Sequence, residues 1–344
     1  MRVVVTGGAG FIGSEFVLQA VADPTTRVVV VDKLTYSANI NSLAVAANRP
    51  NFRFVHADVC DYSAIGRLLE EEQPHAVVHL AAETHVDRSI VVSSPFIETN
   101  IAGTHSLLEA TRLYWSALHG RLQKEFRFLH VSTDEVFGSL GPEGHFTETT
   151  RYDPSSPYSA SKAAADHLVS AWYRTYGLPT LTANCSNNYG PRQFPEKLIP
   201  LMIVNALEGR PLPIYGDGLN VRDWIHVSDH VRALNLVLSK GRPGQSYLIG
   251  ARAERRNIDI VTLICDYLDE KVPHPGRRDL IRFVEDRLGH DRHYAIDPTK
   301  IETELGWRPE QSFETALKST IDWYLDNRAW WEPLMDAHEA RATQ

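Results

Sequence analysis

The chain has 344 residues, of which 43% are hydrophobic and 23% are charged. This composition is typical of a globular protein and excludes disorder as the main state. The formal net charge of -8 disfavours a protein that binds nucleic acid through its phosphates. Because no apolar run approaches the roughly 20 residues of a membrane-spanning helix, we also expect no membrane partner. The length suits one large domain or two medium ones.

Cysteine and histidine spacing gives no sign of a metal or disulfide site. The three cysteines, Cys60, Cys185 and Cys265, are far apart and form no C-x-x-C pair. They favour a reducing compartment, which we expect to be the cytoplasm. The fifteen histidines show no ligand spacing, so we expect no metal. The apolar run Val3–Val5 is too short for a signal peptide.

The first half of the chain alternates β-branched runs with helical patterns. Strands are predicted at Arg2–Thr6, Arg27–Asp32, Phe52–His56, Ala76–Leu80 and Phe126–Ser132. Helices are predicted at Phe11–Ala22, Tyr62–Glu72, Phe96–Leu118 and Tyr158–Tyr176. Strands that alternate with helices form parallel βαβ units with right-handed crossovers. The predicted fold class is therefore α/β, with a Rossmann-type doubly wound parallel sheet.

The second half is divided into shorter elements by glycine and proline, as at Gly190-Pro191. Helices are predicted at Ile199–Glu208, Val227–Leu238, Ile258–Leu268 and Phe313–Asn327. The strand-like run Thr180–Asn184 is expected to return to the main sheet. We therefore predict a smaller α/β part that interleaves with the first.

A glycine-rich turn follows the first predicted strand and opens the first helix. Gly7, Gly10 and Gly13 allow a tight turn and let a pyrophosphate approach the helix N-terminus. Asp32 ends the next strand, 19 residues after Gly13, where an acid bonds a ribose 2′-hydroxyl and repels a 2′-phosphate. The pattern predicts a dinucleotide site that prefers NAD to NADP, a preference that the adjacent Lys33 weakens.

Two further strand ends are expected to border the cofactor. Asp58 and Val59 follow the third strand, where an adenine edge could lie. Leu80, Ala81 and Ala82 end the fourth, and their small side chains would let the backbone approach a ligand. Ligands of such sheets gather at the carboxyl ends of the strands.

Tyr158 and Lys162 form a Y-x-x-x-K pair, whose spacing places both side chains on one face of a helix. A lysine ammonium beside a phenol lowers the pKa of the phenol. We therefore expect Tyr158 to take a proton from a hydroxyl group while hydride leaves the same carbon.

Thr133, Asp134 and Glu135 follow a predicted strand and are expected to face the cleft. Two adjacent carboxyl groups in a closed site are unlikely to ionise equally, so one can act as an acid and the other as a base. Elimination of water needs such a pair, whereas simple oxidation of an alcohol does not. The triplet therefore favours a dehydratase.

These residues carry a resemblance to a known family. The chain resembles the dTDP-glucose 4,6-dehydratases, which are extended short-chain dehydrogenases/reductases, over roughly residues 1–330. The specific runs are Asp32-Lys-Leu-Thr-Tyr36, His85-Val-Asp-Arg-Ser89, Ser132-Thr-Asp-Glu-Val136, Tyr158-Ser-Ala-Ser-Lys162, Asn184-Cys-Ser-Asn-Asn-Tyr-Gly190, Phe194-Pro-Glu-Lys-Leu-Ile-Pro200, Pro213-Ile-Tyr-Gly216, Arg222-Asp-Trp224 and Gly289-His-Asp291.

The resemblance implies a reaction without net redox change, in which a tightly bound NAD is regenerated in each turnover. Tyr158 would deprotonate the C4 hydroxyl of the glucosyl unit, Thr133 would hold that oxygen, and Lys162 would assist. Glu135 would remove the C5 proton, and protonated Asp134 would protonate the departing C6 hydroxyl. The product would be a 4-keto-6-deoxy sugar nucleotide. The alternatives are a sugar-nucleotide 4-epimerase, which needs no acid pair, a 4,6-dehydratase that acts on another nucleotide sugar, and, more remotely, a non-catalytic NAD-binding scaffold.

The resemblance also implies two sets of binding residues. The cofactor would contact Gly7, Gly10, Phe11, Ile12, Gly13, Asp32, Lys33, Leu34, Thr35, Asp58, Val59, Leu80, Ala81, Ala82, Thr99, Tyr158, Lys162 and Asn188. The nucleotide sugar would contact Thr84, Thr133, Asn187, Glu196, Lys197, Leu198, Pro213, Tyr215, Arg222, Asn257, Arg287 and His290. The cations Lys197, Arg222 and Arg287 suit a pyrophosphate.

The same resemblance implies an organisation and an assembly. We expect an NAD-binding domain over residues 1–185, to which a segment at about 220–250 returns. Residues 186–330 would mainly bind the sugar nucleotide, and residues 331–344 would form a tail. The helices at 96–118 and 158–176 would form a four-helix bundle in a homodimer. Both cell-wall rhamnose and secondary-metabolite (antibiotic) deoxysugars begin with this reaction, and the arginine-rich composition leans to the second.

Four positions depart from the usual pattern of the family. Thr84 replaces Ser, Phe137 replaces Tyr, Leu288 replaces Pro, and Gly250-Ala251 replaces a pair of glycines. None of these changes removes a group with a catalytic role.

Overall fold

The computed structural model describes residues 1–273 and 275–342. Its strands are β1 (Arg2–Thr6), β2 (Arg27–Asp32), β3 (Phe52–His56), β4 (Ala76–His79), β5 (Arg127–Thr133), β6 (Thr180–Cys185), β7 (Asn187–Tyr189), β8 (Leu212–Tyr215), β9 (Val221–His226), β10 (Ser246–Ile249), β11 (Glu254–Arg256) and β12 (Ile281–Val284). The α-helices are α1 (Phe11–Ala22), α2 (Ala44–Ala47), α3 (Tyr62–Glu72), α4 (Val86–Val91), α5 (Ser94–Phe96), α6 (Thr104–Ala117), α7 (Gly120–Glu125), α8 (Pro157–Tyr176), α9 (Leu198–Leu207), α10 (Val227–Lys240), α11 (Asn257–Lys271), α12 (Thr299–Leu305), α13 (Phe313–Asp326) and α14 (Arg328–Ala342). Single 3-10 turns lie at Ile40–Leu43, Asp134–Phe137 and Arg277–Leu280.

The main sheet has seven strands in the order β10-β6-β5-β4-β1-β2-β3, and every pairing in it is parallel. The valine-rich strands β1 and β2 are buried on both faces, as strands covered by helices must be. The strand order reverses between β1 and β4, so a crevice opens there at the carboxyl ends of the strands. The predicted fold class is confirmed.

The predicted elements agree with the structure apart from shifts at their ends, whereas strands β7 to β12 and the helices α2, α4, α5, α7, α12 and α14 were not predicted. Thr180–Cys185 pairs in parallel with β5, as expected from the strand-like run. The predicted helix at 96–118 is helical, but Ile97–Gly103 is a π-helical segment that links α5 to α6. The edge strand β10 was not predicted, because four residues give too short a pattern to separate from a loop.

Two small sheets stand beside the crevice. One has the order β11-β9-β7, and the other pairs β8 with β12 in parallel. A separate apolar core forms here around Ile203, Ile264 and Ile321, and it includes the almost fully buried Trp331. Because both small sheets are anchored on this core, their loops face the main sheet across the crevice. Within residues 1–273 and 275–342, no helix is long and apolar enough to cross a membrane.

Candidate active site

The turn between β1 and α1 leaves room only for backbone. Gly7 has a φ of +72°, and a Cβ atom there would lie 2.5 Å from the backbone N of Ala81. A Cβ on Gly13 would lie 2.1 Å from the carbonyl oxygen of Gly7. Gly10 caps α1 without a side-chain hydrogen bond, so the first N–H groups of the helix remain available. This cradle fits a pyrophosphate held by backbone N–H groups.

Asp32 fixes the loop beside this turn. Its Oδ2 accepts a hydrogen bond from the backbone N of Ala9 (2.9 Å), and its Oδ1 accepts one from the backbone N of Leu34 (2.8 Å). Burial raises the pKa of Asp32, whereas these two bonds lower it. The carboxylate retains lone pairs for a ribose hydroxyl. Lys33 is engaged by Asp58 (3.3 Å) and Thr99 (3.0 Å), so it is a poor partner for a 2′-phosphate.

A cleft with an empty volume of about 1490 Å³, including space open to solvent, runs along the carboxyl ends of the main-sheet strands. The cofactor residues predicted from the sequence that line it are Gly7, Gly10, Phe11, Ile12, Gly13, Asp32, Lys33, Thr35, Val59, Leu80, Ala81, Ala82, Thr99, Tyr158, Lys162 and Asn188. These residues fit NAD, since they combine the glycine cradle with an acid at the end of β2. We call this space the cofactor cleft.

Two predicted cofactor residues do not line the cleft. Leu34 adopts a φ of +54° and is partly exposed, because the turn after β2 directs its N–H group to Asp32. Asp58 instead pairs with Lys33 and accepts a hydrogen bond from the backbone N of Cys60. Ser37 and Gln193 line the cleft without having been predicted, and no spacing in the sequence marks them.

The Tyr–Lys pair lies in the first turns of α8, which Ser156 caps with a capping box. Both side chains are almost fully buried, and Lys162 Nζ donates a hydrogen bond to the carbonyl of Val131 (2.9 Å). The sequence predicted that the pKa of Tyr158 would be lowered by Lys162. In the protein alone, the net shift of this pKa has the opposite direction. Burial, followed by the charge of Glu135, raises the pKa of Tyr158 well above its ordinary value.

The acid pair occupies the end of β5 and the 3-10 turn that follows. Asp134 is 2% exposed, and burial and then the charge of Glu135 raise its pKa well above the ordinary value. Burial also raises the pKa of Glu135, but the cations Arg287 and Lys197 oppose that shift. Asp134 therefore favours the protonated form, and Glu135 ionises more readily. The environments separate an acid from a base, as the sequence predicted.

Asp166, which the sequence analysis missed, connects these two elements. Its Oδ2 accepts hydrogen bonds of 2.9 Å from Ser132, Tyr152 and Asn184, and His130 Nε2 lies 3.1 Å from its Oδ1. Ser132 belongs to β5 and Asp166 to α8, so this contact fixes the helix of Tyr158 against the strand of the acid pair. The four-residue spacing from Lys162 was the signal that could have identified it.

A second cleft lies between the main sheet and the small sheets. It is lined by all but one of the residues predicted for the nucleotide sugar: Thr84, Asn187, Glu196, Lys197, Leu198, Pro213, Tyr215, Arg222, Asn257, Arg287 and His290. The exception, Thr133, lines the cofactor cleft. Glu135 lines both clefts, so the two spaces meet at the acid pair. We call the second space the substrate cleft.

Three cations give the substrate cleft its positive charge. Arg222 is 5% exposed, donates to the carbonyl of Asp291 (2.8 Å) and stacks on the ring of Tyr294 (4.2 Å). Arg287 pairs with Asp87 (3.4 Å), and Lys197 Nζ donates to the carbonyl of Thr84 (2.8 Å). The sequence assigned no role to Tyr294 or Asp87. Both residues line the cleft because segments that are far apart in the sequence fold together.

The departures from the family pattern fall in different places. Thr84 lines both clefts, so the methyl group that Ser would lack lies where the two clefts meet. Phe137 packs against Phe146 in a buried core, with ring centroids 5.3 Å apart. Leu288 is 75% exposed. Gly250 has no room for a side chain, because a Cβ atom would lie 2.4 Å from Asp223 Oδ2.

Residues 1–273 and 275–342 contain no cluster of three or more His, Cys, Asp or Glu side chains that could hold a metal ion.

Comparison with known proteins gives a family. Residues 4–320 match the family described as GDP-mannose 4,6 dehydratase. A probable dTDP-glucose 4,6-dehydratase of Sinorhizobium fredii is 56% identical over 337 residues, which cover 98% of this chain and 96% of the relative. The dTDP-glucose 4,6-dehydratase of Shigella flexneri is 56% identical over 342 residues, with coverages of 96% and 95%.

Solved structures agree with this assignment. DesIV, a dTDP-glucose 4,6-dehydratase of Streptomyces venezuelae crystallised with NAD, has a TM-score of 0.90 and 47% identity, covering 97% of this chain and all of the other. A UDP-glucose 4-epimerase of Thermus thermophilus has a TM-score of 0.83 at 28% identity, with coverages of 95% and 100%. The epimerase shares the fold at lower identity. The chain therefore belongs to the dTDP-glucose 4,6-dehydratase family of the extended short-chain dehydrogenases/reductases.

Proposed function

We propose that this chain is an NAD-dependent hydro-lyase that converts dTDP-glucose to dTDP-4-keto-6-deoxyglucose. One observation carries the proposal: two carboxyl groups of unequal acidity, the buried Asp134 and the partly buried Glu135, lie beside Tyr158 where the two clefts meet. Relatives of more than 50% identity over nearly their full length carry the name of this activity. DesIV was crystallised with NAD, which fits the cradle described above.

The cofactor cleft supplies the redox partner. Gly7, Gly10 and Gly13 would hold the pyrophosphate of NAD, and Asp32 would bind the adenosine ribose. When bound there, NAD would supply a nicotinamide ring able to accept a hydride from the sugar and to give it back, so the reaction would have no net redox change.

The chain's own side chains move the protons. Tyr158 takes the proton of the C4 hydroxyl, while Thr133 donates a hydrogen bond to the oxygen and Lys162 steadies the phenolate. The C4 ketone then acidifies the C5 proton, which Glu135 removes. Asp134 protonates the C6 hydroxyl, so that it leaves as water and an enone forms. Glu135 finally returns its proton to C5, and solvent transfers one proton from Tyr158 to Asp134.

The substrate cleft supplies nucleotide binding. The cations available for the diphosphate are Arg222, Arg287 and Lys197. Arginine suits a diphosphate because its planar guanidinium group can donate hydrogen bonds to two oxygens at once. Asp87 holds Arg287 near the mouth of the cleft. The anionic substrate would displace this carboxylate from the guanidinium. We infer that the remaining residues predicted for the nucleotide sugar act around this diphosphate site.

The decisive experiment uses the purified protein and dTDP-glucose without added NAD. We expect the alkaline ultraviolet absorbance of the 4-keto product to appear, because the cofactor copurifies. Absence of product even with added NAD would contradict the proposal. Parallel reactions with UDP-, CDP- and GDP-glucose test the choice of base. Formation of dTDP-galactose instead would identify a 4-epimerase.

The assembly is also part of our proposal. We infer a homodimer in which α6 and α8 of each chain form a four-helix bundle. Apolar side chains are exposed on these two helices: Leu113 of α6 is 46% exposed and Tyr176 of α8 is 47% exposed. Ile97, which lies just before α6, is 49% exposed. These apolar side chains would be covered by the second chain. Light scattering of the purified protein tests this, since a monomeric mass at micromolar concentration would contradict it.

The same proposal assigns different binding roles to the two parts of the chain. Residues 1–185, with about 220–250, would bind NAD, and residues 186–330 would mainly bind the sugar nucleotide. The tail expected from 331 begins instead within helix α14, whose Trp331 and Met335 pack in the second core. In the cell, we propose a cytoplasmic role in deoxysugar biosynthesis, with antibiotic sugars favoured over cell-wall rhamnose by composition. Deletion of the gene, followed by analysis of both products, separates the two pathways.

A further inference from the structure

Tyr36 links the loop after β2 to the floor of the substrate cleft. Its hydroxyl group donates a hydrogen bond to Glu196 Oε1 (3.1 Å), across 160 residues of sequence. The guanidinium carbon of Arg88 lies 3.8 Å from the centroid of the Tyr36 ring. Phe194 meets the ring edge-on, with centroids 5.8 Å apart. The ring is therefore held on its face and at its edge, and the direction of the hydroxyl group is fixed.

Glu196 has one oxygen occupied and one available. The side chain is 2% exposed and lines both clefts. Oε1 accepts the Tyr36 bond, whereas buried Oε2 accepts no hydrogen bond from any part of the chain that the structure describes. His85 Nε2 lies 3.6 Å from Oε2. A buried carboxylate oxygen without a donor is unfavourable, so the position calls for a ligand that carries a hydroxyl or N–H group.

The charge states suit this arrangement. Burial, and then the charge of Glu196, raises the pKa of Tyr36, so its phenol stays protonated and remains a donor. Burial raises the pKa of Glu196, but Lys197 and the Tyr36 bond oppose that shift. Lys197 Nζ is 4.0 Å from Glu196 Oε1 and is itself bonded to the carbonyl of Thr84. Tyr36 is thus the neutral donor that fixes the orientation of the carboxylate.

We propose that Tyr36 is a positioning residue for sugar recognition: it holds Glu196 Oε1 so that Oε2 accepts a hydrogen bond from a hydroxyl group of the hexose. The proposal rests on the function proposed above, since it needs a sugar beside the acid pair. It assigns a role to a side chain that reaches the site from the cofactor loop, where the neighbouring Lys33 and Thr35 line the cofactor cleft.

The test is Tyr36→Phe in the enzyme as purified, with its own NAD. The ring contacts remain, and only the hydroxyl group is lost. We expect the KM for dTDP-glucose to rise about tenfold, the loss typical of one hydrogen bond to a charged group. The Kd for dTDP, which lacks the sugar, should stay within twofold by calorimetry. The NAD content and melting temperature should be unchanged, and kcat should fall less than threefold.

Tyr267→Phe is the matched control. Its hydroxyl group also donates to a carboxylate, Asp322 (2.8 Å), but both residues lie outside the two clefts. This variant should leave the KM for dTDP-glucose unchanged. In a Glu196→Gln background, Tyr36→Phe should change KM less than twofold further, because the two side chains act through one contact.

The outcomes separate the two proposals. An unchanged KM in Tyr36→Phe, with active wild-type protein, would overturn the positioning role alone. Equal weakening of dTDP and dTDP-glucose would also overturn it, since that would show a general disturbance of the cleft. A wild-type protein without dehydratase activity would overturn the proposed function, and this inference with it.

Discussion

Removal of the Asp166 carboxylate should test whether the contact between α8 and β5 supports the active site. In the structure, three donors, the buried Ser132 and Asn184 and the partly buried Tyr152, converge on one oxygen of this carboxylate at 2.9 Å each. Asp166→Ala would leave all three without an acceptor. At about 1–2 kcal/mol for each unpaired donor, we expect a loss of about 3–6 kcal/mol in the free energy of unfolding.

Asp166→Asn should cost less, because the amide can preserve the geometry. Its oxygen can accept the three bonds, and its NH2 group can face His130, which burial keeps neutral by lowering its pKa. Only the negative charge of the acceptor is lost, so we expect the free energy of unfolding to fall by about 2 kcal/mol. Activity should fall further as pH rises, since Asp166 raises the pKa of Lys162 against the lowering by burial. Without that anion, Lys162 loses its proton at a lower pH.

Urea unfolding followed by tryptophan fluorescence measures these differences. Asp266→Ala serves as the control, since Asp266 forms an exposed pair with Arg278 and should contribute less than about 1 kcal/mol. A loss below 1 kcal/mol in Asp166→Ala would refute the reasoning. Equal losses in the Ala and Asn variants would also refute it, because the argument depends on the retained acceptor.

Further predictions concern the two clefts. Asp134→Asn should slow water loss at least about 100-fold while C4 oxidation continues, so reduced cofactor should accumulate in single-turnover absorbance. The pH profile of kcat should be bell-shaped: activity falls at low pH as Glu135, with its raised pKa, gains a proton, and at high pH as Asp134 loses one. Glu135→Gln should remove the acidic limb, and a profile that keeps it would contradict the assignment. Gly13→Ala should remove most of the NAD from the purified protein, because its Cβ atom would clash with the turn. The control Gly66→Ala should keep its NAD, since the space around Gly66 is open. Equal NAD content in the two variants would contradict the role of the glycine turn.

Local patterns were sufficient where one short segment supplies the chemistry. The glycine turn, Asp32, the Tyr158–Lys162 pair and the acid pair each depend on spacing within a strand, a turn or a helix. The carboxyl ends of parallel strands meet at one edge, so their order along the chain already predicted that these segments share a cleft. The structure confirms that meeting, although Leu34 and Asp58 do not line the cleft.

The sequence by itself thus determined the fold class, and it also predicted the glycine turn as a cofactor cradle and Asp134 with Glu135 as an acid pair. Only the tertiary structure decided how those groups are tuned. The pKa of Tyr158 rises because of burial and then the charge of Glu135, and no spacing in the sequence reveals burial. The contact of Tyr36 with Glu196 joins segments 160 residues apart, so its partners are fixed by packing and not by periodicity.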